Sequence, residues 1–168
     1  ANNLNDISKD HPALVVNLLA GWEAVSAEAI ALRRHALRIL LKQGHPDALL
    51  LLGFSPDAAV AVVDLAVSPA TVAVGEHAVA TWRVVSTGAK PQQVMIDYAV
   101  VYQNMSGTGS RKVFKGKVAE LGAGESIGIR RKISLQQMTT RRILPGPHTV
   151  EVQLNGVVHA AAGFDVVE

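Results

Sequence analysis

The chain has 168 residues, of which 49% are hydrophobic and 18% are charged, and its formal net charge is +2 at pH 7. This much apolar material excludes a disordered chain and suffices for one ordinary domain or two small ones. The absence of cysteine excludes a disulfide framework and thiolate metal sites. No apolar run reaches transmembrane length and the start lacks a signal peptide, so we expect a cytoplasmic protein that contacts no membrane.

The first sixty residues show helical spacing. His11 and Pro12 favour a helix start, and the apolar residues that follow them recur at helical intervals. A second helix is predicted over 26–42, with Ser26 as its N-cap and Gly44 as a left-handed stop.

A third helix is predicted to begin at Pro46, directly after this stop. Its four consecutive leucines, Leu49 to Leu52, leave no polar face, so we expect it to be covered on all sides. Short helices joined by tight turns are typical of a helical solenoid, and residues 1–60 are predicted to be the C-terminal end of HEAT-like repeats. Because a solenoid needs roughly three repeats, we expect upstream repeats to be missing and the start at Ala1 to be a cut, with simple removal of an initiator Met as the alternative.

From Val62 onward the apolar residues alternate with a period of two. Turn signals separate the apolar segments, and Asn155-Gly156 is a strong hairpin signal. The predicted strands are Val62–Ser68 continued by Thr71–Val74, His77–Ser86, Val94–Tyr102, Arg111–Leu121, Ser126–Leu135, His148–Leu154 and Val157–Val166. This pattern predicts an all-β immunoglobulin-like sandwich over residues 61–168. The predicted fold class is therefore α+β by segments, with terminal HEAT-like helical repeats followed by the sandwich.

No catalytic constellation is recognisable in the sequence. The six histidines are scattered without metal-ligand spacing, and there is no glycine-rich phosphate loop. We therefore assign no catalytic residue, no metal and no cofactor, and a small-molecule hydrolase has no supporting pattern.

The positive charge is unevenly distributed. Residues 1–64 carry five basic and seven acidic residues, whereas residues 65–168 carry eleven and seven, and nine of these basic residues lie between Arg111 and Arg142. A basic region of this kind favours an anionic partner, with a solvated sheet face as the alternative. Because the basic residues have few aromatic neighbours, duplex phosphates are favoured over stacked single-stranded bases.

Seven basic residues are candidate DNA contacts. Three recur at intervals of four in the second predicted helix and share one stripe, which suits a phosphate backbone, although a solvated helix surface is the alternative. The other four follow a glycine-rich loop or precede a Pro-Gly break, and loops at the ends of a sandwich commonly bind ligands. The candidates are Arg34, Arg38, Lys42, Arg111, Lys112, Arg141 and Arg142.

Arg131 breaks the alternation of its predicted strand. It falls on the same face as the apolar residues Ile129 and Ile133. A bulge, a strand edge or a buried partner is needed to explain a charged side chain in that position.

Two segments together resemble a known protein family. The segment RRHALRILLKQGHPDALLLLGF (residues 33–54) resembles the last HEAT-like repeat of bacterial DNA alkylation repair proteins of the AlkC/AlkD type. The segment ISLQQMTTRRILPGPHTVEVQLNG (residues 133–156) resembles the immunoglobulin-like domain that some AlkC-type members carry at their C-terminus. The resemblance covers nearly the whole chain. It implies the C-terminal part of a DNA glycosylase that excises cationic alkylated bases.

The resemblance also implies a partner and a distribution of roles. The family holds duplex DNA in a basic concave surface, and residues in its earlier repeats assist loss of the damaged base. Because those repeats are not in this chain, no catalytic residue is carried over, and only contact with the phosphate backbone is expected of it. The alternatives are a helical cap with an immunoglobulin-like adaptor that binds a protein partner without touching DNA, and self-association through the open solenoid end.

Overall fold

The computed structural model describes residues 2–23, 26–105, 107, 109–138 and 142–168. The chain divides into two compact units. The first comprises Ala1–Ala58 with Asn155–Val157, and the second comprises Ala59–Leu154 with Val158–Glu168. No helix in the described ranges is long and apolar enough to cross a membrane.

The first unit contains five short helices in its described residues. They are α1 (Asn2–Ile7), α2 (Pro12–Ala20), α3 (Ala27–Ala36), α4 (Arg38–Gln43) and α5 (Pro46–Leu50). Gly44 ends α4 in the left-handed conformation, with φ of 72°, as its sequence position predicts. Ser26 caps α3 as predicted, because its hydroxyl accepts a hydrogen bond from the backbone N–H of Ala29 at 3.1 Å. The sequence patterns do not predict α1.

The predicted fold class, with HEAT-like repeats at the start, is wrong. In the described residues the longest helix has ten residues, and no extended helical repeat is present. The chain is instead mostly β. The helix predicted over 26–42 is divided at Leu37, whose φ of −92° and ψ of 4° lie outside the helical region. The breaks at Gly21, Leu37 and Gly44 restrict each helix to three turns or fewer, which is too short for the long paired helices of such repeats.

Buried aliphatic side chains from four of the helices form the core of the first unit. Leu49 is fully buried, but its neighbour Leu50 is 52% exposed, so the prediction that α5 is covered on all sides is wrong. The other buried aliphatic residues of these helices are Val15, Val16, Leu19, Ala36, Leu40, Leu41 and Ala48. Asn5 of α1 is also buried, and its side-chain carbonyl accepts a hydrogen bond from the backbone N–H of Ile39 at 3.1 Å.

Eight strands of the described chain form two sheets. They are β1 (Val60–Ser68), β2 (Thr71–Ala73), β3 (His77–Ser86), β4 (Gln92–Tyr102), β5 (Ser110–Leu121), β6 (Ser126–Ser134), β7 (Gly146–Leu154) and β8 (Val157–Val167). The sheets have the strand orders β1-β3-β6 and β2-β8-β7-β4-β5. The predicted strand bounds, including the divided first strand, are confirmed to within two residues.

The core of the sandwich is built around an aromatic row. Trp82 of β3 is buried with its ring centroid 5.9 Å from that of Tyr98 in β4, and Tyr98 stacks on Phe114 of β5 at 5.1 Å. Buried aliphatic residues on β4 and β7, such as Ile96 and Val150, fill the space beside this row. Contacts between aromatic rings add to the burial of apolar area that stabilises the two sheets.

Arg131 joins the two sheets at their edges. It pairs with the fully buried Ala80 of β3, which places its side chain on the inner face of β6. The guanidinium donates a hydrogen bond to the carbonyl of Gly116 in β5 at 3.1 Å. The N–H of Gly116 in turn donates to the carboxylate of Asp97 at 3.0 Å, where the register between β4 and β5 shifts. An edge-strand position and a partner in the other sheet therefore explain why Arg131 departs from the alternation.

We expect Gly116→Ala to lower the free energy of unfolding by about 1–3 kcal/mol. A Cβ atom at this position would clash with the backbone carbonyl oxygen of Ile96, which cannot move without shifting β4. Urea denaturation followed by circular dichroism measures the change. The matched control is Gly128→Ala in β6, where an added Cβ meets nothing within 4 Å. Equal stability of the two variants would contradict the close approach of β4 and β5.

We expect Leu49→Ala to destabilise the helical unit by about 2–5 kcal/mol, because it removes a fully buried side chain. Leu50→Ala should change the stability by less than about 0.5 kcal/mol, because half of that side chain is already exposed. Thermal and urea unfolding of the two variants, measured together, test this assignment. A larger loss in Leu50→Ala than in Leu49→Ala would show that the buried face of α5 has been misassigned.

Candidate nucleic-acid interface

Two loops lie side by side at one end of the sandwich. Strand β4 is antiparallel to both β5 and β7, and Val101 near its end is paired with Arg111 and with Thr149. The β4–β5 loop (103–109) therefore lies at the same end of this sheet as the start of β7, where the β6–β7 segment (135–145) arrives from the other sheet.

A turn completes this end of the sandwich. The N–H of Gly75, between β2 and β3, donates to the carbonyl of Leu135 at 3.0 Å. A Cβ atom added to Gly146 would lie 3.3 Å from the side chain of Gln103, which shows how closely the β4–β5 loop approaches the start of β7. We refer to residues 74–76, 103–109 and 135–145 as the loop end.

Arg111 and Lys112 lie at the start of β5, directly after the loop end, and both are exposed. The Nε of Arg111 donates to the carboxylate of Glu151 at 2.7 Å, so part of its charge is already neutralised. The ammonium of Lys112 lies 5.3 Å from the ring centroid of Phe114, a cation–π distance. Lys112 therefore keeps more of its charge available for a ligand than Arg111 does.

Arg142 lies in the β6–β7 segment of the loop end. It is exposed and lines a depression of about 300 Å³ together with Gln137, Pro145 and Glu168. Among the ion pairs of the described residues none involves Arg142. Arg141, the other candidate in this segment, lies outside the described residues.

The three helical candidates belong to the first unit. Arg34, Arg38 and Lys42 are all exposed. The break at Leu37 falls between the first two, so the stripe predicted on one helix is divided between α3 and α4. The neighbouring Arg33 is engaged locally, because its guanidinium donates to the backbone carbonyl of Trp22.

A further cationic surface is formed by Arg130 and Lys132, which are not among the seven candidate DNA contacts. Arg130 and Lys132 of β6 are paired with Thr81 and Val79 of β3, and with His77 they line a concavity of about 310 Å³. Their spacing of two residues in a strand is the signal that identifies them as neighbours on one face.

His148 is buried next to the loop end. Its Nδ1 lies 2.9 Å from the carbonyl oxygen of Gly146, and its ring packs edge-on against Tyr102 and obliquely against Phe164. Burial lowers the pKa of His148 below its ordinary value of 6.5, although the Gly146 carbonyl and Asp165 act in the opposite direction. The neutral ring is therefore the form that the folded sandwich favours.

Two packed antiparallel-rich sheets with these connections define an immunoglobulin-like domain. A family model described as "Uncharacterised protein YhaZ, C-terminal Ig-like domain" matches residues 61–168. The chain belongs to this family.

Two relatives match almost the whole chain. Over 166 residues the chain is 33% identical to "Uncharacterized protein YhaZ" of Bacillus subtilis (strain 168), a match that covers 99% of this chain and 46% of that protein. It is 41% identical to the Pseudomonas fluorescens alkylpurine DNA glycosylase AlkC, whose structure was solved bound to DNA containing an abasic site analog. That structure superposes with a TM-score of 0.95 and covers 99% of this chain and 46% of AlkC. The chain thus spans less than half of each relative, and the similarity to AlkC extends over almost the whole of this chain.

More distant structures share the sandwich. The GH3 β-glucosidase of Bifidobacterium adolescentis has a TM-score of 0.53 at 18% identity, over 68% of this chain and 18% of that enzyme. At this identity the likeness concerns the fold alone.

We expect the free energy of unfolding to decrease as the pH falls below about 6.5. Above that pH the ring of His148 is neutral in both states and has no effect. Below it the unfolded chain takes up a proton that the folded chain binds less readily, so unfolding is favoured. His159, whose pKa burial also lowers, contributes in the same direction.

Urea midpoints between about pH 7.5 and about pH 5.5 measure this dependence. His148→Phe keeps a ring in the same space without titrating and should flatten the profile, whereas His77→Phe on the exposed start of β3 serves as the control. A profile in His148→Phe as steep as in the unsubstituted chain would contradict the assignment.

Proposed function

We propose that this chain is a DNA-contacting region of an AlkC-type DNA alkylation repair glycosylase that excises cationic alkylated bases. The observation that carries the proposal is the 41% identity and TM-score of 0.95 to AlkC, which was solved with DNA. The exposed cations in and directly after the loop end supply the positive charge that a phosphate backbone attracts.

The proposed contacts of the sandwich are Arg111, Lys112, Arg141 and Arg142. Arg142 ranks first among the described residues because it is exposed and belongs to none of the ion pairs found among them. Arg111 ranks below it, because a contact with DNA would compete with its ion pair to Glu151. Arginine suits this task since its planar guanidinium can bind two phosphate oxygens at once.

Arg34, Arg38 and Lys42 are the proposed contacts of the helical unit. All three are exposed, Arg34 on α3 and the other two on α4. Contacts of this type provide affinity without sequence specificity. We assign the chain no catalytic residue, so its proposed contribution to repair is to hold the duplex.

We expect the chain to bind a short duplex with an affinity that falls steeply as salt rises, because phosphate contacts release counterions. Arg142→Ala should weaken binding and reduce the slope of log K against log salt by about 1. The matched control is Lys90→Ala, which removes the same charge from the β3–β4 turn at the other end of β4. Fluorescence anisotropy across a salt series measures all three proteins.

Two results would contradict this proposal. One is no binding at low salt, or binding that barely changes as salt rises. The other is an equal loss in Arg142→Ala and Lys90→Ala, which would show that net charge matters and position does not.

A second candidate function is supported by one feature of the helical unit. Leu14, Leu18 and Trp22 recur at intervals of four along and just after α2 and stay 63%, 47% and 36% exposed. An exposed apolar row of this kind suits a protein partner or a second copy of the chain. Self-association stays a prediction, and sedimentation velocity at increasing protein concentration tests it. Concentration-dependent association without duplex binding would favour this reading over DNA contact.

A further inference from the structure

A side-chain amide holds together the segment between β6 and β7. The Nε2 of Gln137 donates to the backbone carbonyl of Ile143 at 2.9 Å, and its Oε1 accepts from the backbone N–H of the same residue at 2.9 Å. One side chain thus satisfies both backbone groups of Ile143, as a neighbouring strand would do in an antiparallel pair.

Both the side chain and the backbone of Ile143 are held in place. Its side chain is only 2% exposed, so packing fixes it on one side while the Gln137 amide fixes its backbone. Arg142 directly precedes it and is exposed. Fixing the backbone of Ile143 therefore fixes the point from which the Arg142 side chain starts, and Gln137 lines the same depression as Arg142.

The neighbouring loop is closed in a similar way. The side-chain carbonyl of Asn104 accepts a hydrogen bond from the backbone N–H of Gly109 at 3.2 Å. Both loops of the loop end are thus bridged by an amide side chain near their bases. Such bridges reduce the conformational freedom that a loop loses when it binds a ligand.

We propose that Gln137 is a positioning residue for duplex binding, which acts by holding Arg142 ready for a phosphate. The inference rests on the proposed function, since it concerns the same interface. A loop ordered before binding loses less entropy on forming the contact than a loose one does. Loss of the amide should therefore weaken binding while leaving the number of phosphate contacts unchanged.

The test compares two glutamine variants of the whole chain. Gln137→Met keeps a side chain of similar length but removes both hydrogen bonds to Ile143. Gln136→Met is the matched control, because Gln136 is exposed and its side chain makes no hydrogen bond within the described residues. We expect Gln137→Met to weaken duplex binding about 2- to 10-fold with an unchanged salt slope, and Gln136→Met to bind like the unsubstituted chain.

A double variant separates positioning from general stability. If Gln137 acts through Arg142, then Gln137→Met/Arg142→Ala should bind as weakly as Arg142→Ala alone, because the two effects are not additive. Hydrogen exchange at the Ile143 amide should accelerate in Gln137→Met while the urea midpoint stays within error. If Gln137→Met does not fold, Gln137→Ala replaces it.

Additive losses in the double variant, or binding of Gln137→Met that equals that of Gln136→Met, would overturn the inference and leave the proposed function intact. Absence of duplex binding by the unsubstituted chain would be a different result. It would overturn the proposed function, and the role of Gln137 with it.

Discussion

The pairing of β4 with a strand on each side is the constraint on which the rest of the sandwich depends. Its residues from Ile96 to Val100 are all buried, as expected for a strand inside a sheet that is packed on another. The antiparallel register on both sides brings the start of β5 and the start of β7 to one end. The same constraint that builds the core therefore brings the start of β5, with Lys112, to the end of the sandwich that also holds Arg142, although thirty residues separate the two in sequence.

The edges of the two sheets are joined by a charged group. The Arg131 guanidinium bonds to the Gly116 carbonyl, and the Gly116 amide bonds to Asp97. An arginine in this place uses its long aliphatic stem against the core while its polar head reaches an open backbone group. Charged side chains on edge strands also disfavour pairing with other chains. Arg131, which breaks the alternation in the sequence, therefore has a structural role and is not one of the proposed DNA contacts.

The sequence patterns predict the strands far better than the helical region, for a physical reason. Strand alternation and turn residues are local signals, and His77–Ser86 is predicted with its observed bounds. Helical periodicity identifies the apolar face of a helix but not the residue at which the helix breaks. The sequence patterns therefore predict neither the interruption at Leu37 nor the exposure of Leu50. The exposed cations could be predicted from charge alone. The ion pair of Arg111 with Glu151 could not, because the two are forty residues apart and meet only through the sheet.

The central claim is that the loop end of the sandwich contacts duplex DNA. Hydrogen–deuterium exchange of the whole chain, with and without a saturating duplex at low salt, tests this claim most directly. We expect protection in residues 103–112 and 135–145, and unchanged exchange in the turns at 87–91 and 122–125 at the other end of the same strands. Protection confined to those turns, or no protection at saturation, would contradict it.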